Sequence, residues 1–157
     1  MNGCFSTNDT VFMNMALEQA KSALAHDDVP VGAVLVRNDT GEIVGVGRNT
    51  RELEHSALGH AEINAIREAC IATENKFLSE CTLYVTLEPC PMCAGAILSA
   101  RIPRIVCGAK DAVAGAMGSV WALHSHPVDA KHTEIFFGCC ENESKELLRA
   151  FFKNKRT

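Results

Sequence analysis

Thr82-Leu83-Tyr84-Val85-Thr86-Leu87-Glu88-Pro89-Cys90-Pro91-Met92-Cys93 passes from one kind of backbone to another without a linker. Leu83 and Val85 make Thr82–Thr86 a buried strand by composition. Pro91 suits the first position of a helix, where its missing N–H is not needed and its φ is already helical. The Ala, Ile and Leu content that follows carries this helix to about Ala100.

Working outward, Val31–Arg37 is apolar and β-branched, Asn38-Asp39-Thr40-Gly41 is a turn cluster, and Glu42–Arg48 is the return strand of a hairpin. Ahead of them, Phe12, Met15, Ala16, Ala20, Ala23 and Leu24 recur at helical spacing, with Asn8, Asp9 and Thr10 as candidate caps. Asn49–Leu58 is polar and aperiodic, hence a loop. A helix opens at His60 and runs through Ile63, Ala65, Ile66, Ala69 and Ala72. Ile105–Ala109 and Glu134–Phe137 read as short strands, Gly115–His126 as a stretch with at most a short helix. A final helix starts in the acidic Glu141 and Glu143. Its apolar face, Leu147, Leu148, Phe151 and Phe152, is expected to pack into the core. Helix, hairpin, then alternating helix and strand predict an α/β fold, a three-layer α/β/α sandwich on a central mixed five-stranded sheet.

The 157 residues are 47% hydrophobic and 22% charged, and carry no repeat or linker, which predicts one globular domain over residues 1–157. No apolar stretch is long enough to cross a bilayer. Met1-Asn2-Gly3-Cys4 is unlike a secretory signal, so the expected location is cytoplasmic, with eight cysteines reduced. Cys4, Cys70, Cys81, Cys107, Cys139 and Cys140 are expected to be small hydrophobes or bystanders. The formal net charge of −4 argues against a general nucleic-acid binder, although a local basic patch can still bind RNA on an acidic protein. Lys153, Lys155 and Arg156 are the one obvious basic cluster.

Gly59-His60-Ala61-Glu62 and Pro89-Cys90-Pro91-Met92-Cys93 carry the chemistry. Cys90 and Cys93, three apart on a helical turn, present both thiols to one side. A helix N-terminus favours the thiolate that zinc needs. With His60 as third ligand, a fourth tetrahedral position stays free for water, the arrangement of a catalytic Zn2+ site. Two thiolates cancel the charge of the metal, so bound water is acidified less than in an all-histidine site, and a carboxylate base becomes valuable. Glu62 is placed to take the proton of that water and return it to a departing amino group. The combination H-x-E with P-C-x-x-C is the pattern of zinc-dependent nucleobase deaminases. Two rivals share parts of it. Strand, Cys-Pro-x-Cys, helix is also how thioredoxin-like proteins present a dithiol, and Cys81 or Cys107 could complete a purely structural zinc site.

At these residues the chain resembles the cytidine/deoxycytidylate deaminase superfamily, and within it the bacterial tRNA-specific adenosine deaminases. The likeness runs from Val29-Pro30-Val31-Gly32-Ala33-Val34 to Phe151-Phe152, and includes Ser99-Ala100-Arg101-Ile102, Gly108-Ala109-Lys110-Asp111-Ala112 and Gly115-Ala116-Met117-Gly118-Ser119. It implies a cytidine-deaminase-like fold, one Zn2+ per subunit, a homodimer, and conversion of adenosine to inosine at the tRNA anticodon wobble position. It also implies that Asn49 hydrogen-bonds the base, that Val31 and Leu87 wall the pocket, and that Asp111 lies near the nucleotide backbone. Phe151, Phe152 and Lys153 would lie where the last helix meets RNA. On composition alone Asn49 is a strand-ending turn residue, and Val31 and Leu87 suit plain core packing.

The chain departs from the tRNA enzymes in four places. Ala57-Leu58-Gly59 replaces the usual Pro-Thr-Ala, with Gly59 expected to loosen that entry and Leu58 to alter the pocket mouth. Pro91 replaces a valine, and Pro-Cys-Pro-Met-Cys also resembles guanine deaminases. Lys131-His132-Thr133 stands where Asn-His-Arg is usual, and the basic tail is short. These differences keep a deaminase of a free nucleobase or nucleoside (guanine, cytosine or adenine derivatives) as the alternative.

Overall fold

The computed structural model describes residues 4–126 and 133–155; Lys131, His132 and Arg156 lie outside them. Helix α1 is Thr7–Ala23, followed by a hairpin of β1 (Gly32–Arg37) and β2 (Ile43–Arg48). Then come a single turn α2 (Arg51–Glu54), α3 (Ala61–Thr73), β3 (Cys81–Leu87), α4 (Pro91–Ser99), β4 (Arg104–Ala109), β5 (Glu134–Phe137) and α5 (Glu141–Lys155). The strands form one sheet in the order β2-β1-β3-β4-β5. β1 is antiparallel to β2 and β3, whereas β3, β4 and β5 run parallel.

The period-two alternation of the strands separates two buried clusters. Leu35, Leu83, Val85, Ile105 and Phe137 pack with Ala61, Ala65, Ala94 and Ile97 of α3 and α4. Val34, Val36, Tyr84 and Val106 pack with Met13, Ala16 and Leu17 of α1, and Leu147 of α5 leans on them. The expected three layers are therefore present, with α1 and α5 on one face and α3 and α4 on the other.

The start of α1 differs from expectation. Ser6, not Asn8–Thr10, is the cap: its hydroxyl accepts from Asp9 N at 3.0 Å while the Asp9 carboxylate accepts from Ser6 N at 3.2 Å. This reciprocal pair satisfies two otherwise orphaned amides, so the helix begins earlier. Gly115–His126 holds turns, an isolated bridge between Met117 and Ala122, and one 3-10 turn at Leu123–Ser125. Arg51–Glu54 adds a helical turn inside the expected loop.

β2 and α3 meet closely. A Cβ on Gly47 would lie 2.2 Å from the carbonyl of Ala61, and one on Gly45 would lie 2.3 Å from that of Ala65. Only glycine lets the strand backbone approach the first turns of α3 this way. Asn64 fastens the same turn, donating to Arg48 O and Thr50 Oγ1, both at 2.9 Å. The strand thereby fixes where α3 begins, and with it His60 and Glu62. No helix among the described residues is long and apolar enough to cross a membrane.

Candidate metal centre and its cavity

His60 is the N-cap of α3 and Cys90 the N-cap of α4, both in extended backbone, with Pro91 opening α4 as expected. The two helix starts converge, bringing His60 Nδ1 to 3.5 Å from Cys90 Sγ and 3.4 Å from Cys93 Sγ. With metal–ligand bonds of about 2.1 and 2.3 Å, nitrogen and sulfur on a tetrahedral zinc stand roughly 3.6 Å apart. The three donors fit that ion, and among the described residues they are the one group of His, Cys, Asp or Glu side chains so gathered. Neither Cys81 nor Cys107 joins them, which removes the four-ligand structural reading; the Cys107 thiol instead contacts Ala109 O at 3.4 Å. A histidine built between the thiols likewise leaves the simple dithiol reading without support. All eight cysteines are free thiols; of the six outside this group, Cys81, Cys107 and Cys139 are buried and Cys4, Cys70 and Cys140 more open.

The electrostatics prepare the group for a cation. The Cys90 thiol is lowered to about 4, first by a hydrogen bond from Cys93 and then by His60. Cys93 is pushed far above the usual thiol range by the same bond to Cys90 and by burial. The pair thus shares one proton, with Cys90 as the thiolate. Its hydrogen bond to Cys90 raises His60. Glu62 is 4% exposed. Burial pushes its carboxyl up to about 7, and it is hydrogen-bonded with Cys93.

These residues open into a cavity of about 640 Å³. His60, Glu62 and Cys90 line it, and so do Val31, Asn49, Leu87 and Asp111, while Cys93 is buried behind it and Lys153 lies on a neighbouring hollow. Asn49 is buried, and its Oδ1 caps the turn after β2 by accepting from Arg51 N at 3.0 Å, the turn role that composition alone gives it. Its NH2 remains as the donor end.

Two expectations near the mouth fail. Gly59 is buried rather than loose: its carbonyl accepts from Thr50 N at 2.7 Å, and a Cβ there would lie 3.0 Å from Thr50 and Arg51. Leu58 points to solvent and does not line the cavity. The apolar face of α5 is also not simply core. Leu147 packs inward, but Phe152 is 45% exposed, and Phe151 and Phe152 line the cavity. The two rings instead meet edge to face, with centroids 5.3 Å apart.

Sequence reading missed several residues here. Asp28, 1% exposed, accepts from Glu52 N at 2.7 Å and Leu53 N at 3.2 Å and so holds α2 at the rim. Lys155 of α5 pairs with Asp27 on the same rim. Beyond Phe152 a second hollow of about 750 Å³ is lined by Lys110, Lys145, Arg149 and Lys153. Lys145, Arg149 and Lys153 recur every four residues, a helical stripe that the sequence contains and that the tail cluster obscured.

The zinc-binding region of cytidine and deoxycytidylate deaminases matches residues 6–109. A tRNA-specific adenosine deaminase of Agrobacterium fabrum is 47% identical over 147 residues, covering 94% of this chain and 95% of that protein. A structure from a study of A-to-I editing by tRNA:A34 deaminases at the wobble position superposes with a TM-score of 0.84 at 42% identity, covering 88% of this chain and 99% of the other. A guanine deaminase of Nitrosomonas europaea superposes at 0.77 with 25% identity, over 90% of this chain and 83% of the other.

Proposed function

The chain belongs to the cytidine and deoxycytidylate deaminase family and is a zinc-dependent hydrolytic deaminase, and from that premise we propose that it converts adenosine to inosine at the wobble position of a tRNA anticodon. The observation that carries the RNA reading is the hollow beside the cavity, where four cations surround Phe152, the residue common to both spaces. A cavity for one base continuing into a cationic groove suits a base extruded from a polynucleotide whose phosphates lie alongside. A free base has no charge to engage such a groove. The stronger likeness to tRNA-specific deaminases than to a guanine deaminase supports the same choice.

His60, Cys90 and Cys93 would hold the zinc, which when bound acidifies a water molecule beside it. Glu62, fixed in the first turn of α3, is placed to take the protons of a water whose oxygen adds to C6 of the base. It would pass one to the ring nitrogen beside C6 and the other to the exocyclic nitrogen, so that the C6–N bond breaks, ammonia leaves and the oxygen remains as the carbonyl of the product. Burial of Glu62, by raising its affinity for the proton, suits a group that must both take and give one near neutral pH. Asn49 offers its NH2 to an acceptor of the base, Val31 and Leu87 bound the ring, and Asp111 stands toward the backbone side. We further read residues 1–157 as one deaminase domain acting in the cytoplasm as a homodimer.

The test is ammonia release by the zinc-loaded protein on tRNA, adenosine, guanine, cytosine and cytidine in parallel. Release from tRNA with inosine at the wobble position is the expected result. Release from a free base or nucleoside alone would transfer the function to the small-molecule alternative.

A further inference from the structure

We propose that Glu88 is a positioning residue whose carboxylate holds segment 111–119 as a wall of the substrate cavity. The proposal rests on the deaminase reading of that cavity. Glu88 follows β3 and precedes Pro89 and Cys90, and is 2% exposed. It does not point at solvent or at a cation. Instead its Oε1 accepts from Asp111 N at 3.1 Å and from the Ser119 hydroxyl, and its Oε2 accepts from Met117 N and Ser119 N, each at 3.1 Å. One carboxylate thus ties together both ends of the segment.

The segment is built around that group. A Cβ on Gly115 would lie 2.4 Å from Glu88 Oε2 and 2.4 Å from Asp111 O, so the chain folds over the carboxylate at a residue without a side chain. Ala116 N donates to Pro89 O at 2.8 Å, which stitches the middle of the segment beside the metal ligand. Asp111 and Ala114, between these anchors, line the cavity. Segment 111–119 has no helix or strand of its own, only the bridge at Met117. With no ladder, its shape depends on local turns, in which Asp111 Oδ1 accepts from Val113 N and Ala114 N, and on the buried acceptor that joins its two ends.

All four partners donate. A glutamine cannot replace the glutamate, because its NH2 would face amide N–H groups and leave them unpaired. A loosened wall would have to be ordered each time substrate binds, which weakens binding without changing the reacting groups. The metal ligands themselves sit on the starts of α3 and α4, outside the segment.

The experiment compares wild type, Glu88→Gln, Glu88→Asp and Ser119→Ala as zinc-loaded proteins. It reads zinc content, amide hydrogen exchange of residues 111–119, and KM and kcat on tRNA. For Glu88→Gln we expect one zinc per chain, faster exchange in the segment, and KM raised roughly tenfold or more with kcat within about threefold of wild type. Glu88→Asp, which keeps both acceptor oxygens, should recover part of the KM change. Ser119→Ala should raise KM about two- to threefold. Native KM and native exchange in Glu88→Gln overturn the proposal, as do loss of zinc, an effect confined to kcat, or an aspartate no better than glutamine. If Glu88→Gln does not fold, an unchanged KM and exchange in Ser119→Ala overturn it. A wild type inactive on tRNA would refute the proposed substrate, while exchange and zinc content would still decide the role of Glu88.

Discussion

His60 Nδ1 stands 3.4 Å from Cys93 Sγ although 33 residues separate them. Two helix starts, each placed by a different neighbouring strand, bring these atoms together. β2 seats α3 through Gly45 and Gly47, and β3 delivers α4 through Pro91. The metal centre is therefore a joint between two helices as well as a chemical site.

That joint predicts coupled loss of metal and stability. Cys93→Ala should purify with little or no zinc and unfold at lower temperature than the zinc-loaded wild type, because the ion links elements distant in sequence. Stoichiometric zinc by atomic absorption in this variant would show that Cys93 is not a ligand.

Zinc retention should also depend on pH. Cys93 keeps its proton far above the usual thiol range and His60 binds a proton more tightly than an ordinary histidine. Both must release protons for metal to bind, so affinity falls as pH falls, by about tenfold per unit for each proton displaced. Competition with a chelator of known affinity between pH 6 and pH 8, roughly one unit either side of neutrality, measures the slope. A flat profile contradicts the assignment of the donors.

Glu62→Gln should separate metal binding from turnover. The glutamine keeps the size of the side chain but cannot accept a proton, so zinc content stays at wild type while kcat falls by about two to four orders of magnitude. A variant with undiminished turnover would remove Glu62 from the proton-transfer step.

The hollow beside Phe152 yields a salt experiment. Replacing Arg149 and Lys153 together by Ala should weaken tRNA binding and reduce the slope of log affinity against log salt by about one for each phosphate no longer neutralised. Deamination of any free nucleoside would be unaffected. Unchanged salt dependence would leave the groove without a part in RNA binding.

Remote from the site, Asp9 is held by Tyr84 Oη at 2.7 Å and by both terminal nitrogens of Arg104 at 3.1 Å. Burial opposes its ionisation, but the hydrogen bonds from Arg104, Tyr84 and Ser6 prevail and lower it from 3.8 to about 2. A depressed carboxylate contributes stability that is complete above its unfolded value and is lost as pH falls between about 4 and 2. Asp9→Asn should cost about 2 kcal/mol at neutral pH by urea denaturation, and that difference should shrink across this acid window. A pH-independent difference would mean the pair contributes through packing alone.

The amino-acid order alone determined the elements and the metal group. Strand and helix periods are local, and Pro91 and the spacing of Cys90 to Cys93 act within one turn, so neither depends on a distant partner. The likeness to known deaminases extended this to Asn49, Val31, Leu87 and Asp111, which do meet in one cavity. Other features depended on where segments distant in sequence come to rest. Glu88 reads in the sequence as one more residue of a motif, yet in the fold its carboxylate gathers Asp111, Met117 and Ser119. Phe151 and Phe152 carry the spacing of a core stripe, yet in the fold they border the cavity. Gly59 suggested freedom, but its close fit against Thr50 and Arg51 makes it a fixed point. Periodicity reports which face of an element is apolar; what that face meets is set by the packing of elements that the sequence places far apart.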